Sequence, residues 1–251
     1  MFVRQNLKTL ASVLVVLCSI FTTGYSAMKR LPAEQFFSGS QLMLAHAIER
    51  SDSVDVKDLA GKTDLNKPGA QDMTILFFAL QSAYGKDPQQ LAIMAVLVGS
   101  GADPLQQIPD MGSVAEVVAR SDDDVFMKAL IDGGMSPNSM VEETPIIFDA
   151  AYEHSIRVLK YLTSKGANIN LQDSLGQTVL TEALSRDEYE VVIWLLQHGA
   201  DPRIKTKAGW QFSHMLEDTM NLHPNKMVKA KLEKIRELAV SKGMVWPPVV
   251  R

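Results

Sequence analysis

The sequence predicts an all-α fold, a solenoid of stacked helix pairs with projecting turns, on three observations. Gly-Ala-Asp-Pro occurs twice, at 101–104 and 199–202, each time closing an apolar stretch. Gly101, Gly134, Gly166 and Gly199 all follow apolar helical patterns, at intervals of 33, 32 and 33 residues. Within a period, apolar residues recur at helical spacing, as in Val191, Val192, Leu195 and Leu196. A fixed period of this length marks an array whose units cannot bury their apolar faces alone and so stack on their neighbours.

Composition agrees with a folded array. The chain has 251 residues, of which 46% are hydrophobic and 22% charged, too apolar for a disordered tail. A net charge of −4 gives no general pull toward nucleic acid. Cys18 is the one cysteine, so no internal disulfide forms.

Residues 1–27 read as a leader. Arg4 and Lys8 precede the apolar run "LASVLVVLCSIF" and the small-residue stretch "TTGYSA", with no acid. The apolar run is shorter than the roughly 20 residues that span a bilayer. Cleavage after Ser26 would place Gly24 and Ser26 at the two small positions. Alternatively, Cys18 stands where a bacterial lipoprotein leader carries its lipidated cysteine, although Leu17 departs from the small residue that motif wants. Either reading predicts export to the periplasm, membrane-anchored in the second case. Met28 would start an additional cytoplasmic form. Residues 28–40 are expected to be a flexible lead-in, and 41–251 the repeat domain, about six units degenerate at both ends.

The units follow in order. Residues 41–60 look like a degenerate helical pair. Residues 73–104 carry "MTILFFAL" and "LVGSGADP", with extra residues between them. Residues 111–138 keep the spacing but little of the wording. Residues 143–170 repeat the pattern with one extra residue. Residues 173–201 show it best: Thr178 opens a short helix by capping its first turn, and Ala183 is small so that a second helix packs close. Gly199 then ends that helix in a left-handed backbone, and Asp201 begins a turn. Residues 203–251 supply a last pair, with "NLHPN" inserted between its helices. This segment holds ten Lys/Arg and four Asp/Glu, whereas 28–202 hold thirteen and twenty-five. Its helix from Lys226 to Lys242 is amphipathic. The apolar side is expected to close the stack and the basic side to offer a membrane-surface contact.

No motif for chemistry appears. G-x-S-x-G, the P-loop and G-x-G-x-x-G are absent from the sequence. No histidine pair among His46, His154, His198, His214 and His223 has the spacing of a zinc helix. Asp122, Asp123 and Asp124 read as the polar link between two helices. No catalytic residue, metal or cofactor is expected.

The wording of 173–201 resembles the ankyrin repeat, D-x-x-G-x-T-P-L-H-x-A-A followed by E-V-V-x-x-L-L-x-x-G-A-D-x-N. Asp173, Gly176, Thr178, Leu180, Ala183, Glu190, Val191, Val192, Leu195, Leu196, Gly199, Ala200 and Asp201 stand at matching positions. The resemblance implies a protein-binding scaffold that is no enzyme and reads its partner with projecting turns and adjacent helix ends. On this chain the turns offer Gln107, Asp110, Met111, Met140, Glu142, Glu143, Asp173 and Trp210. The helix ends offer Asp122, Tyr152, Glu153, His154, Arg186 and Tyr189. A leader joined to such repeats also resembles the bacterial envelope immunity proteins that bind and block type VI secreted phospholipase toxins. That implies steric blockade of a lipase, with assistance in its activation as an extension of the same binding. The alternative is a periplasmic scaffold or stress-protection protein with no toxin partner.

Overall fold

In the computed structural model, residues 31–222 and 226–248 are described. The leader, Cys18, Met28 and His223 lie outside them. The chain divides into two compact units, Met1–Val114 with Asp132–Gly134, and Ala115–Ile131 with Met135–Arg251.

The first unit holds α1 (Gly39–Glu49), α2 (Ser53–Ala60), α3 (Ile75–Ser82) and α4 (Pro88–Gly99). Short polar residues start three of them. The Asp52 carboxylate accepts the Asp55 N–H, and the Thr74 hydroxyl accepts the Phe77 N–H at 3.2 Å. Asp87 accepts from Gln89 and Gln90, with Pro88 preset for the first turn. Helix α3 packs against both α1 and α4, so every side chain from Ile75 to Leu80 is buried. The buried Gln90 carboxamide donates to the Ile48 carbonyl and the Ser51 hydroxyl, both at 2.7 Å. The part of 28–40 that is described is not a loose lead-in. Ala33, Phe36 and Phe37 are buried, and the Phe37 ring meets Phe78 edge-on at 5.4 Å. Two adjacent phenylalanines bury enough apolar surface to hold a short segment in place.

Helices α5 (Val114–Ala119) and α6 (Val125–Asp132) form the next pair. The second unit then continues through a two-stranded hairpin, β1 (Met140–Val141) antiparallel to β2 (Thr144–Pro145), to a 3-10 turn at Ile146–Phe148 and α7 (Ile156–Ser164). It ends with α8 (Val179–Ser185), α9 (Tyr189–Gln197), α10 (Phe212–Leu222) and α11 (Lys226–Ser241). Thr178 and Thr181 form a capping box at the start of α8, in which the Thr181 hydroxyl accepts the Thr178 N–H at 2.9 Å. Ala183 is fully buried where α8 packs on α9.

The first helix expected in 143–155 is reduced to that single 3-10 turn. The Ser155 hydroxyl donates to the Ala150 carbonyl, and the Asp149 carboxylate is drawn to Arg120. These bonds hold 149–155 as a loop, which absorbs the extra residue of this period.

Each period ends in the same bonded unit. At Gly101, Gly134, Gly166 and Gly199 φ lies between 92° and 109°. The N–H one residue later bonds back five residues, as Ala200 does to Leu195 at 3.0 Å and Ala167 to Leu162 at 3.0 Å. Asparagines then join successive periods. Asn170 donates to the Gly199 carbonyl at 3.1 Å and accepts the Asp201 N–H at 2.9 Å. Asn138 does the same for Gly166 and Asn168, and Asn66 for Gly101 and Asp103.

Two predictions follow from this geometry. A Cβ on Gly176, where φ is 79°, would lie 2.7 Å from the Lys207 nitrogen, while one on Gly199 would meet nothing within 4 Å. Gly199→Ala is therefore expected to lose about 1–2 kcal/mol through backbone strain, and Gly176→Ala roughly 3, because a neighbouring turn must also move. Urea unfolding of the two variants reads the difference. Asn170→Ala removes both bonds at a partly exposed site and is expected to cost about 1–2 kcal/mol. The same change at the more exposed Asn138 should cost less, and equal midpoints for the two would count against the ladder as a source of stability.

Candidate protein-binding surface

Projecting turns recur because each period pairs backbone across a short gap before its first helix. Isolated bridges join Gln172 to Thr178 and Lys205 to Gln211, and the β1–β2 hairpin takes the same place in its own period. Asp173 shapes its turn from inside, since one carboxylate oxygen accepts the Leu175 and Gln177 N–H groups at 2.9 and 2.8 Å. The next turn is closed by Thr206, whose N–H donates to the Trp210 carbonyl at 2.8 Å and whose hydroxyl accepts the Trp210 N–H at 3.0 Å. The tips expose apolar side chains, Met140 at 39%, Leu175 at 62% and Trp210 at 37%. Glu142 and Glu143 lie on the same turn as Met140, and both are exposed. Leu175 was not among the expected surface residues. Its signal was available, an apolar residue immediately before the turn glycine of an Asp-x-x-Gly phrase. Gln107, Asp110 and Met111 lie on a turn of the first unit, where Ile108 pairs with Gly112.

The helix ends of the second unit carry a polar network. The Arg120 guanidinium donates twice to Asp149, at 3.0 and 2.6 Å, and approaches Glu116 at 4.0 Å. His154 Nε2 lies 3.2 Å from the Arg120 carbonyl, and its ring centroid is 5.2 Å from that of Tyr152. Arg186 lies over the Tyr152 ring at 4.6 Å, pairs with Glu182 at 2.6 Å and donates to the Phe148 carbonyl. The Glu188 carboxylate accepts the Glu153 N–H at 2.8 Å. Tyr152, Glu153, His154 and Arg186 are thus brought together. Asp122 stays exposed in the α5–α6 link, while its neighbour Asp123 accepts the Val125 N–H at the start of α6. Tyr189 corrects the expectation: it is 6% exposed, and its hydroxyl donates to Asp187 at 2.6 Å. Burial, then that carboxylate, raises its pKa. It sits at the first position of α9 and turns inward onto the core, so it offers no surface.

His198 behaves as its place at a helix end suggests. Its Nδ1 lies 2.7 Å from the Trp194 carbonyl, so that nitrogen carries the proton, and its ring stacks on Trp194 at 4.1 Å. His214 lies edge-on to Trp210 at 6.0 Å. Among the described residues no cluster of His, Cys, Asp or Glu could hold a metal ion, and no helix is long and apolar enough to cross a membrane.

Asp149 gives the network a pH dependence. Burial pushes its carboxyl above the ordinary range, outweighing the pull of Arg120 in the other direction. Arg120 is partly desolvated too, but Asp149 holds it above its ordinary value. The asymmetry follows from exposure, 13% for the Asp149 side chain against 47% for Arg120. A carboxyl whose folded pKa is raised binds its proton more tightly in the folded state. Its contribution to stability is complete below the ordinary carboxylate range and declines as pH rises through the folded value. Arg120→Gln removes the stabilising cation, so the decline should deepen. The expected loss is about 1–2 kcal/mol at neutral pH, discounted for solvent at the half-exposed guanidinium, and less at pH 4. Urea unfolding at the two pH values would show it, and an equal loss at both would contradict it.

A family description, ankyrin repeats in three copies, matches residues 116–206. Among curated proteins, the chain is 38% identical over 76 residues to a putative ankyrin repeat protein of Acanthamoeba polyphaga mimivirus, covering 30% of this chain and 18% of that one. It is 34% identical over 82 residues to an I-kappa-B like protein of Microplitis demolitor bracovirus, covering 32% and 43%. It is 35% identical over 97 residues to an ankyrin repeat-containing protein of Schizosaccharomyces pombe, covering 38% and 44%. The chain thus spans less than half the length of these curated relatives. Among solved structures, the ankyrin repeat domain of Bcl-3 superposes with a TM-score of 0.59 at 18% identity, covering 80% of this chain and 86% of that one. An ankyrin repeat domain from Acinetobacter baumannii AYE gives 0.55 at 20% identity, covering 80% and 97%. Ankyrin repeats generally bind protein partners and are generally not enzymes. Residues 116–206 thus match the ankyrin-repeat family, and the chain carries the ankyrin-repeat fold.

Proposed function

We propose that this chain is an envelope immunity protein, which binds a cognate type VI secreted phospholipase and blocks it sterically. The observation that carries a binding role is the run of turn tips in the second unit, where Met140, Leu175 and Trp210 are exposed, as are Glu142 and Glu143 on the Met140 turn. Apolar and aromatic side chains on rigid turns are the usual anchors of a protein interface, and each desolvates well once covered. The leader pattern of residues 1–27, with Cys18 as its acylation candidate, supports a periplasmic address where a secreted lipase would be met. Binding across the mouth of the lipase active site, with about 800 Å² buried on each partner, suffices for a stable complex. Assisted activation of the lipase before export would use the same contacts. A periplasmic scaffold without a toxin partner is the competing outcome.

A tagged copy expressed in its host is expected to retain a phospholipase and to protect cells that express the lipase in the periplasm. Trp210→Ala together with Leu175→Ala should weaken the complex by about 30-fold or more, as loss of hot-spot side chains does, with the circular dichroism spectrum unchanged. Retention of other envelope proteins but no lipase would favour the scaffold.

A further inference from the structure

The second unit is electrically two-sided. The second helices of the pairs, α6, α7, α9 and α11, carry six lysines and two arginines against Asp132, Glu190, Glu233 and Glu237. The first helices, α5, α8 and α10, together with the 3-10 turn, carry Glu116, Glu182, Glu217 and Asp218 and no lysine or arginine. Both arginines on the second helices are committed to carboxylates, Arg157 to Asp123 at 3.8 Å and Arg236 to Glu233 at 2.6 Å. Lys231 pairs with Glu190 at 3.0 Å. Lys128, Lys160 and Lys234 are exposed. Lys128 and Lys165 each stand 5.5 Å from the centre of the Tyr161 ring.

A shallow groove of about 410 Å³ opens among these lysines. Ile156, Ile193 and Trp194 line it, with Lys160 and Lys234, and Glu153 and Glu190 contribute carboxylates. Trp194 keeps part of its surface exposed there.

We propose that the second-helix side of this unit seats on an anionic phospholipid bilayer, with Trp194 at the headgroup level and the lysines over the lipid phosphates. Charge complementarity selects this occupant. Lysine is depleted in protein interfaces, whereas an anionic leaflet attracts basic residues additively and without fixed geometry. Lysine stems reach such a surface while their ammonium groups stay hydrated. An indole belongs at the boundary between apolar and aqueous phases. Seated this way, the acidic first-helix side points away from the lipid. The inference is independent of the lipase, and a failed lipase pull-down leaves it standing.

The test compares the full chain with Lys128→Gln/Lys160→Gln/Lys234→Gln on vesicles of phosphatidylcholine, with or without one-third phosphatidylglycerol. The readout is the ratio of binding to the two vesicles, so any hydrophobic anchor cancels. Three lysines near an anionic surface are expected to contribute ~100-fold to that ratio, at about fivefold each. The triple variant should lose this preference with its circular dichroism unchanged, and high salt should abolish it in the wild type. A blue shift of tryptophan emission on anionic vesicles should be present in the wild type and absent in Trp194→Phe. A triple variant that keeps the wild-type preference overturns the proposal. If it keeps that preference but no longer binds a polyglutamate column, the face serves an acidic protein and the membrane reading falls.

Discussion

Each helix pair in this chain leaves apolar faces that its own residues cannot cover. That constraint explains the period, the small residue at Ala183 and the uniformly buried α3, whose sequence Ile-Leu-Phe-Phe-Ala-Leu has hardly a solvent side. A fully buried leucine or phenylalanine contributes about 1.5–3 kcal/mol when removed from water. A pair left alone would forfeit much of that. The neighbouring pair within the same unit recovers it, as α9 and α11 do across Leu232 and Ile235.

Apolar contact alone does not set register, and here polar groups do so. A helix that stops at a left-handed glycine leaves a carbonyl and a following N–H exposed at its end. The asparagine of the preceding period satisfies both at once, so the offset between neighbours is tied to hydrogen-bond geometry rather than to side-chain fit. Asn66, Asn138 and Asn170 do this. Four residues after Gly101 the sequence has Leu105 instead, so that period has no asparagine with which to continue the ladder. The change falls just before the end of the first compact unit.

Because the interior and the polar ladder carry the fold, the turn tips and helix ends are free to vary. Their chemistry is still not uniform. Asp173 and Thr206 are spent on building their turns, whereas Leu175, Met140 and Glu142 face outward. At the helix ends, Arg120 and Arg186 hold carboxylates and an aromatic ring in place, so part of that polar surface is already engaged within the chain.

Much of this was legible beforehand. The 33-residue spacing, the stop glycines and the Asp-Pro turns are local chemistry, since a positive φ needs glycine and a turn needs a short acceptor, whatever lies nearby. Those signals located the helix pairs and the projecting turns. They could not show that residues 149–155 would form a loop, because that depends on Arg120 reaching Asp149 across 29 residues. Nor could they show that Tyr189 turns inward or that Phe36 and Phe37 pin the start of the described chain. Helix type and stop are written in neighbouring residues, so the sequence alone determined them. Which side chains face solvent, and which charges pair, is set by groups distant in the chain, so only the tertiary structure decided it.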